Sequence, residues 1–374
     1  MWLHRTNRAM AWLLIGLAGW LACGHAALAT AERSPTIRHV FIIVLENESF
    51  EFTFGKQSLA PYLAHQLTQQ GALLTQYYGI GHNSLDNYIA LISGQAPNPD
   101  TQADCRVFSE FVPTAHGLDA NGQLAGHGCI YPRSVQTIAD QMQRRGLSWK
   151  GYMEGMGSDP QREAAGCGHV AIGAQDTTNR ESLHDRYADK HNPFIYFHSI
   201  IDDQTYCAKH VVPLDVLQRD LRQAKTTPNL AFITPDLCHD GHDAPCLNGE
   251  PGGLISADAF LKIWVPRIVD SPAFRRDGLL IITFDEGTDG KACCDEQKLP
   301  GGPAPGQYGP GGGRIGAVLI SPFIRPGTVS QLPYNHYSTL RSIEHWFGLP
   351  YLGDAGAQGV HRFGPDIFNV APSK

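Results

Sequence analysis

The chemistry this chain can perform sits at the ends of three apolar runs. Arg38 to Leu45 ends in Glu46-Asn47, and Leu279 to Phe284 ends in Asp285-Glu286. Leu230 to Thr234 leads into Asp236, His239, Asp240, His242 and Asp243. Each acid alone reads equally well as a solvated loop residue or a helix cap. Carboxylates, an amide and imidazoles brought together from separate strands are the oxygen and nitrogen donors that a divalent cation needs. A fourth element is Gly81-His82-Asn83-Ser84-Leu85-Asp86-Asn87-Tyr88, just before the helical run Tyr88 to Ile92. Ser84 at a helix start can be an ordinary N-cap. The same position offers free N–H groups and the positive end of the helix dipole, which favour an anion such as phosphate. A serine hydroxyl held there on a metal is an activated nucleophile.

The elements that must position these residues follow from periodicity. The apolar runs, with Ile315 to Ile320, are continuous and rich in β-branched residues, as strands buried on both faces of a parallel sheet are. Helical patterns lie between them at Pro61 to Gln70, Leu85 to Ser93, Ser134 to Arg145, Leu214 to Ala224 and Ala257 to Ile268. The alternation predicts an α/β fold with a mostly parallel central sheet flanked by helices on both faces. Ligands of such sheets bind beyond the carboxyl ends of the strands. The stretches 100–133 and 156–203 read as loop insertions capping one edge of the sheet, and Lys298 to Gly313 as a surface loop. No linker divides the chain, so residues 30–374 are expected to form one catalytic domain with insertions.

At 374 residues the chain is long enough to build its core without disulfides, so its nine cysteines need another explanation. Arg5 and Arg8 precede an apolar run from Met10 to Ala22, and Ala27-Leu28-Ala29 supplies small residues for cleavage. This pattern predicts a signal peptide over residues 1–29 and a periplasmic or secreted protein. Acylation at Cys23 is the alternative, but Trp20 fits a lipobox poorly. The other eight cysteines would form up to four disulfides in an oxidising compartment, in one of about a hundred connectivities. Adjacent Cys293 and Cys294 are expected to bond elsewhere. The net charge of −7 argues against nucleic acid as a partner. No feature of the sequence sets an oligomeric state.

Five segments occur in an order that carries a resemblance: Val44-Leu45-Glu46-Asn47-Glu48-Ser49-Phe50, His82-Asn83-Ser84-Leu85-Asp86-Asn87-Tyr88, Asp240-Gly241-His242-Asp243, Thr283-Phe284-Asp285-Glu286-Gly287 and Asn335-His336-Tyr337-Ser338. Together they resemble the phosphoesterase family of bacterial acid phosphatases and phospholipases C, whose fold is similar to that of the alkaline phosphatase superfamily. The resemblance implies a metal-dependent phosphoryl-transfer enzyme. In it Ser84 is the nucleophile, itself metal-bound, and Glu46, Asn47, Asp285 and Glu286 are metal ligands. Glu286 departs from the paired aspartates of related enzymes. The Asp-x-x-x-His spacing of two-zinc alkaline phosphatases is missing, since Asp236 and His239 stand three apart and Asp240 and His242 two apart. One divalent ion, of a type the residues leave open, is therefore expected.

In such a site Ser84 attacks phosphorus and water hydrolyses the resulting phosphoserine. His242 and His336 are the candidates for giving the leaving group its proton, and Asp243 could orient an imidazole. Asn47, His82 and Asn87 are candidates for binding the non-bridging oxygens. For His336 the alternative is a structural place beside a helix cap. His39 reads as structural. His127, His169, His184, His191 and His198, within the insertions, read as surface or substrate-loop residues. The expected substrate is a small phosphate monoester. A phospholipase C or phosphoinositide phosphatase acting on a membrane lipid headgroup is the alternative. It should show an apolar rim, and the chain ends at Lys374, too soon after the last motif for the long-tailed phospholipase branch. A silent binding protein on the same scaffold would have lost ligands. A sulfatase would need a Cys/Ser-x-Pro-x-Arg motif, and Ser84-Leu85-Asp86 has neither the Pro nor the Arg.

Overall fold

The computed structural model describes residues 35–299, 302–306 and 309–370. The leader expected over residues 1–29 lies outside them. Eight strands form the central sheet: β1 (His39–Leu45), β2 (Ala72–Leu74), β3 (Trp149–Met153), β4 (Val211–Pro213), β5 (Leu230–Thr234), β6 (Gly278–Phe284), β7 (Ala317–Ile320) and β8 (Thr328–Ser330). Their order is β8-β2-β7-β6-β1-β5-β3-β4. β1 lies parallel to both β5 and β6, with Ile43 opposite Ile233 and Leu45 opposite Phe284. The three strands expected to carry the site are therefore adjacent, and their carboxyl ends open on one rim. β7 runs antiparallel to β6 and β2, which corrects its reading as another parallel strand. A short, fully buried apolar run does not reveal its direction.

Helices cover both faces. Phe232 of β5 packs on Tyr88 with ring centroids 6.2 Å apart, and Phe41 of β1 packs on Phe274 at 6.3 Å. Phe232 is in register with Ile42, not Phe41. Because side chains alternate along a strand, helix α1 (Ser84–Ser93) lies on one face. Helix α4 (Pro272–Asp277) lies on the other. Helices α2 (Ile138–Arg144) and α5 (His336–Phe347) pack with α1, and α3 (Gly253–Val269) packs with α4. The same alternation carries Ile42, Val44 and Glu46 toward α1. Apolar residues of both faces join in one core cluster.

The two insertions do more than cap an edge. They pack on α1 through the turns Thr101–Ala103, Asp189–His191 and Pro193–Tyr196. Cys105–Cys129 closes the first insertion on itself, Cys167–Cys207 ties the second to the helix Gln204–His210, and Cys238–Cys246 ties the loop after β5. Cys293 and Cys294 bond to each other rather than elsewhere, since the other six thiols are paired among themselves. Four disulfides fit an oxidising compartment. Among the described residues, no helix is long and apolar enough to cross a membrane.

Candidate active site

Glu46 is the centre of the site. It follows directly on β1, is buried, and its N–H donates to the Asp240 carbonyl at 2.8 Å. Ser84 Oγ donates to Glu46 Oε2 at 2.7 Å and Tyr88 Oη donates to Oε1 at 2.6 Å. Both donors come from the first turns of α1. Ser84 is the first helical residue and Asn83 the N-cap, so Ser84 is not the ordinary cap. Asp285 follows β6, and its N–H binds the Leu45 carbonyl at 2.8 Å. Its Oδ1 accepts the N–H groups of Asn47 at 2.9 Å and Glu286 at 2.6 Å. Asn47 has a left-handed backbone, φ 55°, and its side-chain amide donates to Glu46 Oε2 at 3.3 Å.

Two further residues join this group: His191, expected on the surface or in a substrate loop, and Asp240, one of the strand-end donors expected at the rim. His191 reaches in from the second insertion. Its Nε2 lies 3.2 Å from Glu46 Oε2 and its Nδ1 3.8 Å from Asp240 Oδ2, and its ring stacks on Tyr88. The insertion folds onto α1 and buries His191. Asp240 is legible from its place just beyond β5, whereas no local pattern tells that His191 turns inward. The carboxylates of Glu46, Asp240 and Asp285 are pushed above their ordinary range by burial, and the last two also by the Glu46 charge. Burial, reinforced by the Lys190 charge, lowers His191 to about 3 and keeps it a neutral donor. Among the described residues, Asp240 Oδ2, Asp285 Oδ2 and both His191 ring nitrogens have no hydrogen-bond partner. Unpaired buried carboxylates are strongly unfavourable. Asp240 and Asp285 each keep such an oxygen beside Glu46, and with a neutral imidazole and a serine hydroxyl they offer the donor types that a divalent cation takes.

The remaining predicted residues divide. Glu286 pairs with His82 Nδ1, while His82 Nε2 meets the Asp289 carbonyl at 3.1 Å. This pairing engages both ring nitrogens of His82 within the protein. Asn87 is not free to bind substrate. Its Oδ1 accepts the N–H groups of Ile80 and Gly81, and its Nδ2 donates to the carbonyls of Gly81 and Asn83 and to Asp86 Oδ1. It clamps the loop that leads into Ser84. His336 is buried, with Nε2 donating to the Asp285 carbonyl at 2.5 Å and Nδ1 accepting from Tyr77 Oη at 3.2 Å. With both nitrogens engaged it cannot meet a leaving group, and it holds the Asp285 loop in place. His242 stays half exposed at the rim, with Asp243 3.6 Å from its Nδ1. Its N–H binds Asp240 Oδ1 at 3.0 Å.

A second cluster lies nearby. Glu154, Asp236 and His239 bring ligand atoms within 4.8 Å of one another. His239, lifted to about 9 by Glu154 and Asp236 against the cost of burial, contacts Glu154 and Asp236 at 3.1 and 3.2 Å, and Arg186 contacts Asp236 at 2.8 Å. Two cations already neutralise these acids. Cys238, beside them, is tied up in its disulfide. The orphaned carboxylate oxygens around Glu46, those of Asp240 and Asp285, have no such cation beside them among the described residues.

Residues 58–350 match the model of the Phosphoesterase family, and the chain belongs to that family. A structure of a protein in the alkaline phosphatase superfamily from Vibrio parahaemolyticus superimposes with a TM-score of 0.50 and 13% identity, covering 84% of this chain and 67% of that one, a likeness of fold. A probable acid phosphatase of Kluyveromyces lactis is 27% identical over 89% of this chain and 64% of its own length. A phosphate-repressible acid phosphatase of Penicillium chrysogenum is 28% identical over 84% and 60%. The chain thus spans about three-fifths of the length of these fungal relatives. A phosphatidylinositol-3-phosphatase of Mycobacterium tuberculosis is 24% identical over 94% of this chain and 92% of its own.

Proposed function

We propose that the protein is an exported, metal-dependent phosphomonoesterase, in effect an acid phosphatase, with Ser84 as nucleophile. The observation that carries this reading is the Ser84 hydroxyl on Glu46 Oε2 at 2.7 Å, among buried acids with orphaned oxygens. Glu46, Asp240, Asp285 and His191, with Ser84 itself, would hold one divalent cation. When bound, such a cation offsets the repulsion between nucleophile and phosphate and lowers the serine pKa. Asn47 lies beside this group, partly exposed, where its amide can meet a non-bridging oxygen.

The rest is done by the chain's own residues. Glu46 orients the Ser84 Oγ and accepts its hydrogen. The Ser84 Oγ–P bond forms as the ester P–O bond breaks, and the leaving alkoxide takes a proton from His242, which Asp243 orients. Water then cleaves the phosphoserine and restores the hydroxyl. Ser84 approaches from the α1 face, and His242 lies beside the start of α3.

Action on a phospholipid headgroup is the second reading, favoured by a groove of about 760 Å³ on the α3 side. His242 and Glu48 lie along it with apolar Phe52, Leu59, Leu254 and Ile255, three of which (Phe52, Leu59 and Ile255) are exposed. Rates on p-nitrophenyl phosphate, bis-p-nitrophenyl phosphate and phosphatidylcholine test both readings. The monoester is expected to dominate, and a phosphatidylcholine rate above it would put the lipid reading first. Turnover that survives exhaustive chelation would remove the cation from the scheme.

A further inference from the structure

We propose that the pocket on the α1 side of Ser84 binds a second anionic group of the substrate, a second phosphate or a carboxylate, through Arg106 and Arg180. This rests on the phosphomonoesterase reading and names the substrate class it would favour.

The pocket, of about 480 Å³, is walled by the two insertions: Asp104 and Arg106 from the first, and Gln175 to Thr177, Asn179, Arg180 and Lys190 from the second. Two of its wall residues, Asp104 and Lys190, connect it to the site. Asp104 Oδ1 accepts the N–H of Leu85, the residue after Ser84, at 3.1 Å. Asp104 Oδ2 lies 3.2 Å from Lys190 Nζ, and Lys190 precedes His191, which touches Glu46. The walls are zipped by backbone hydrogen bonds: Asp176 N–H to the Arg106 carbonyl at 2.9 Å, Phe108 N–H to Ala174 at 2.9 Å and Gly173 N–H to Phe108 at 2.7 Å. The disulfide at Cys105 fixes the residue before Arg106.

Charge pairing in the wall is one-sided. Asp104 is spent on Leu85 and Lys190. Asp176 is spent on its own loop, accepting from the Thr178 N–H, the Thr178 hydroxyl and the Asn179 amide. Both acids are satisfied, while the guanidiniums of Arg106 and Arg180 meet no carboxylate among the described residues. In a chain of net charge −7, two unpaired guanidiniums facing one pocket form a receptor for an anion, which planar guanidinium groups bind in a forked geometry. The phosphate being cleaved is engaged at Ser84, so this receptor addresses the other end of the molecule.

The test measures phosphate release from fructose 1,6-bisphosphate, fructose 6-phosphate and p-nitrophenyl phosphate. Wild type should favour the bisphosphate over the monophosphate by about ten-fold in kcat/KM, mainly through KM. Arg106→Ala and Arg180→Ala should each remove most of that preference and leave p-nitrophenyl phosphate turnover unchanged. Higher ionic strength should narrow the preference in wild type alone. A soluble dibutanoyl phosphatidylinositol monophosphate, whose diester is the second anion, forms a parallel arm. Loss of preference with the sugar, the lipid or both supports the subsite and identifies its source. Equal wild-type rates on the two sugars and no arginine effect on the lipid would overturn it, as would variants that slow all substrates alike. If wild type turned over none of these esters, the esterase reading would fall and take the subsite with it.

Discussion

At the scale of single residues, the site depends on one hydroxyl and the acids around it. Ser84→Ala keeps a small residue at a helix start and removes only the Oγ–Glu46 hydrogen bond. Turnover of p-nitrophenyl phosphate is expected to fall by at least about a thousand-fold, as loss of a nucleophile does. Melting temperature should stay within a few degrees, and near-wild-type rates would move the nucleophile elsewhere. Asp240→Asn and His191→Ala should each weaken cation binding by about ten- to a hundred-fold. Calorimetric titration of the chelated protein with divalent ions reads this without reference to activity. Unchanged affinity in both variants would place the cation away from this cluster. Glu46, Ser84 and Asp285 are legible as candidates in the sequence because each sits next to a strongly patterned element. His191 is not, because nothing in an irregular insertion tells which imidazole turns inward.

Among the secondary-structure elements, the loop before α1 and the last helix make opposite demands. Asn87 spends its whole carboxamide on the loop Ile80 to Asn83. Asn87→Ala would leave several buried backbone groups unpaired. The expected destabilisation is about 1–3 kcal/mol, measured by denaturant unfolding, with a fall in kcat as Ser84 loses its support. A stable variant with normal kcat would show the clamp to be dispensable. On α5, burial pushes Glu344 up to about 9. Its folded pKa exceeds the unfolded value of 4.5, so between those values the folded state holds more protons and stability falls as pH rises. Glu344→Gln keeps an acceptor for the Leu352 N–H, which the native carboxylate binds at 3.0 Å. It should gain about 1 kcal/mol or more at pH 8 and little at pH 5. Equal effects at both values would mean that Glu344 ionises freely in the fold.

Over the whole molecule, Cys105–Cys129 closes the first insertion on itself and Cys167–Cys207 ties the second to the helix Gln204–His210 that precedes β4. Cys167–Cys207 closes a separation of 40 residues and Cys105–Cys129 one of 24. Chain-entropy arguments assign each about 3–4 kcal/mol. Reduction should therefore lower the melting temperature markedly. Because Lys190 and His191 sit in the tethered insertion, activity should be lost before the sheet unfolds. Loss of both in a single transition would show that the insertions and the sheet unfold together.

The strands that carry the site, and the rim on which they end, were legible in the chain alone, since burial on both faces leaves continuous β-branched runs with polar residues just beyond them. Ser84 was legible for the same reason, through the helical period that follows it. Tertiary structure decided what local patterns do not encode. It set the antiparallel direction of β7, the bond between Cys293 and Cys294, the inward turn of His191 and Asp240, and the withdrawal of Asn87 and His336 into support of the loops. These outcomes depend on which distant surfaces meet. Strand alternation carries Glu46 to the α1 face, but only the packing of an insertion on α1 brings an imidazole to meet it there.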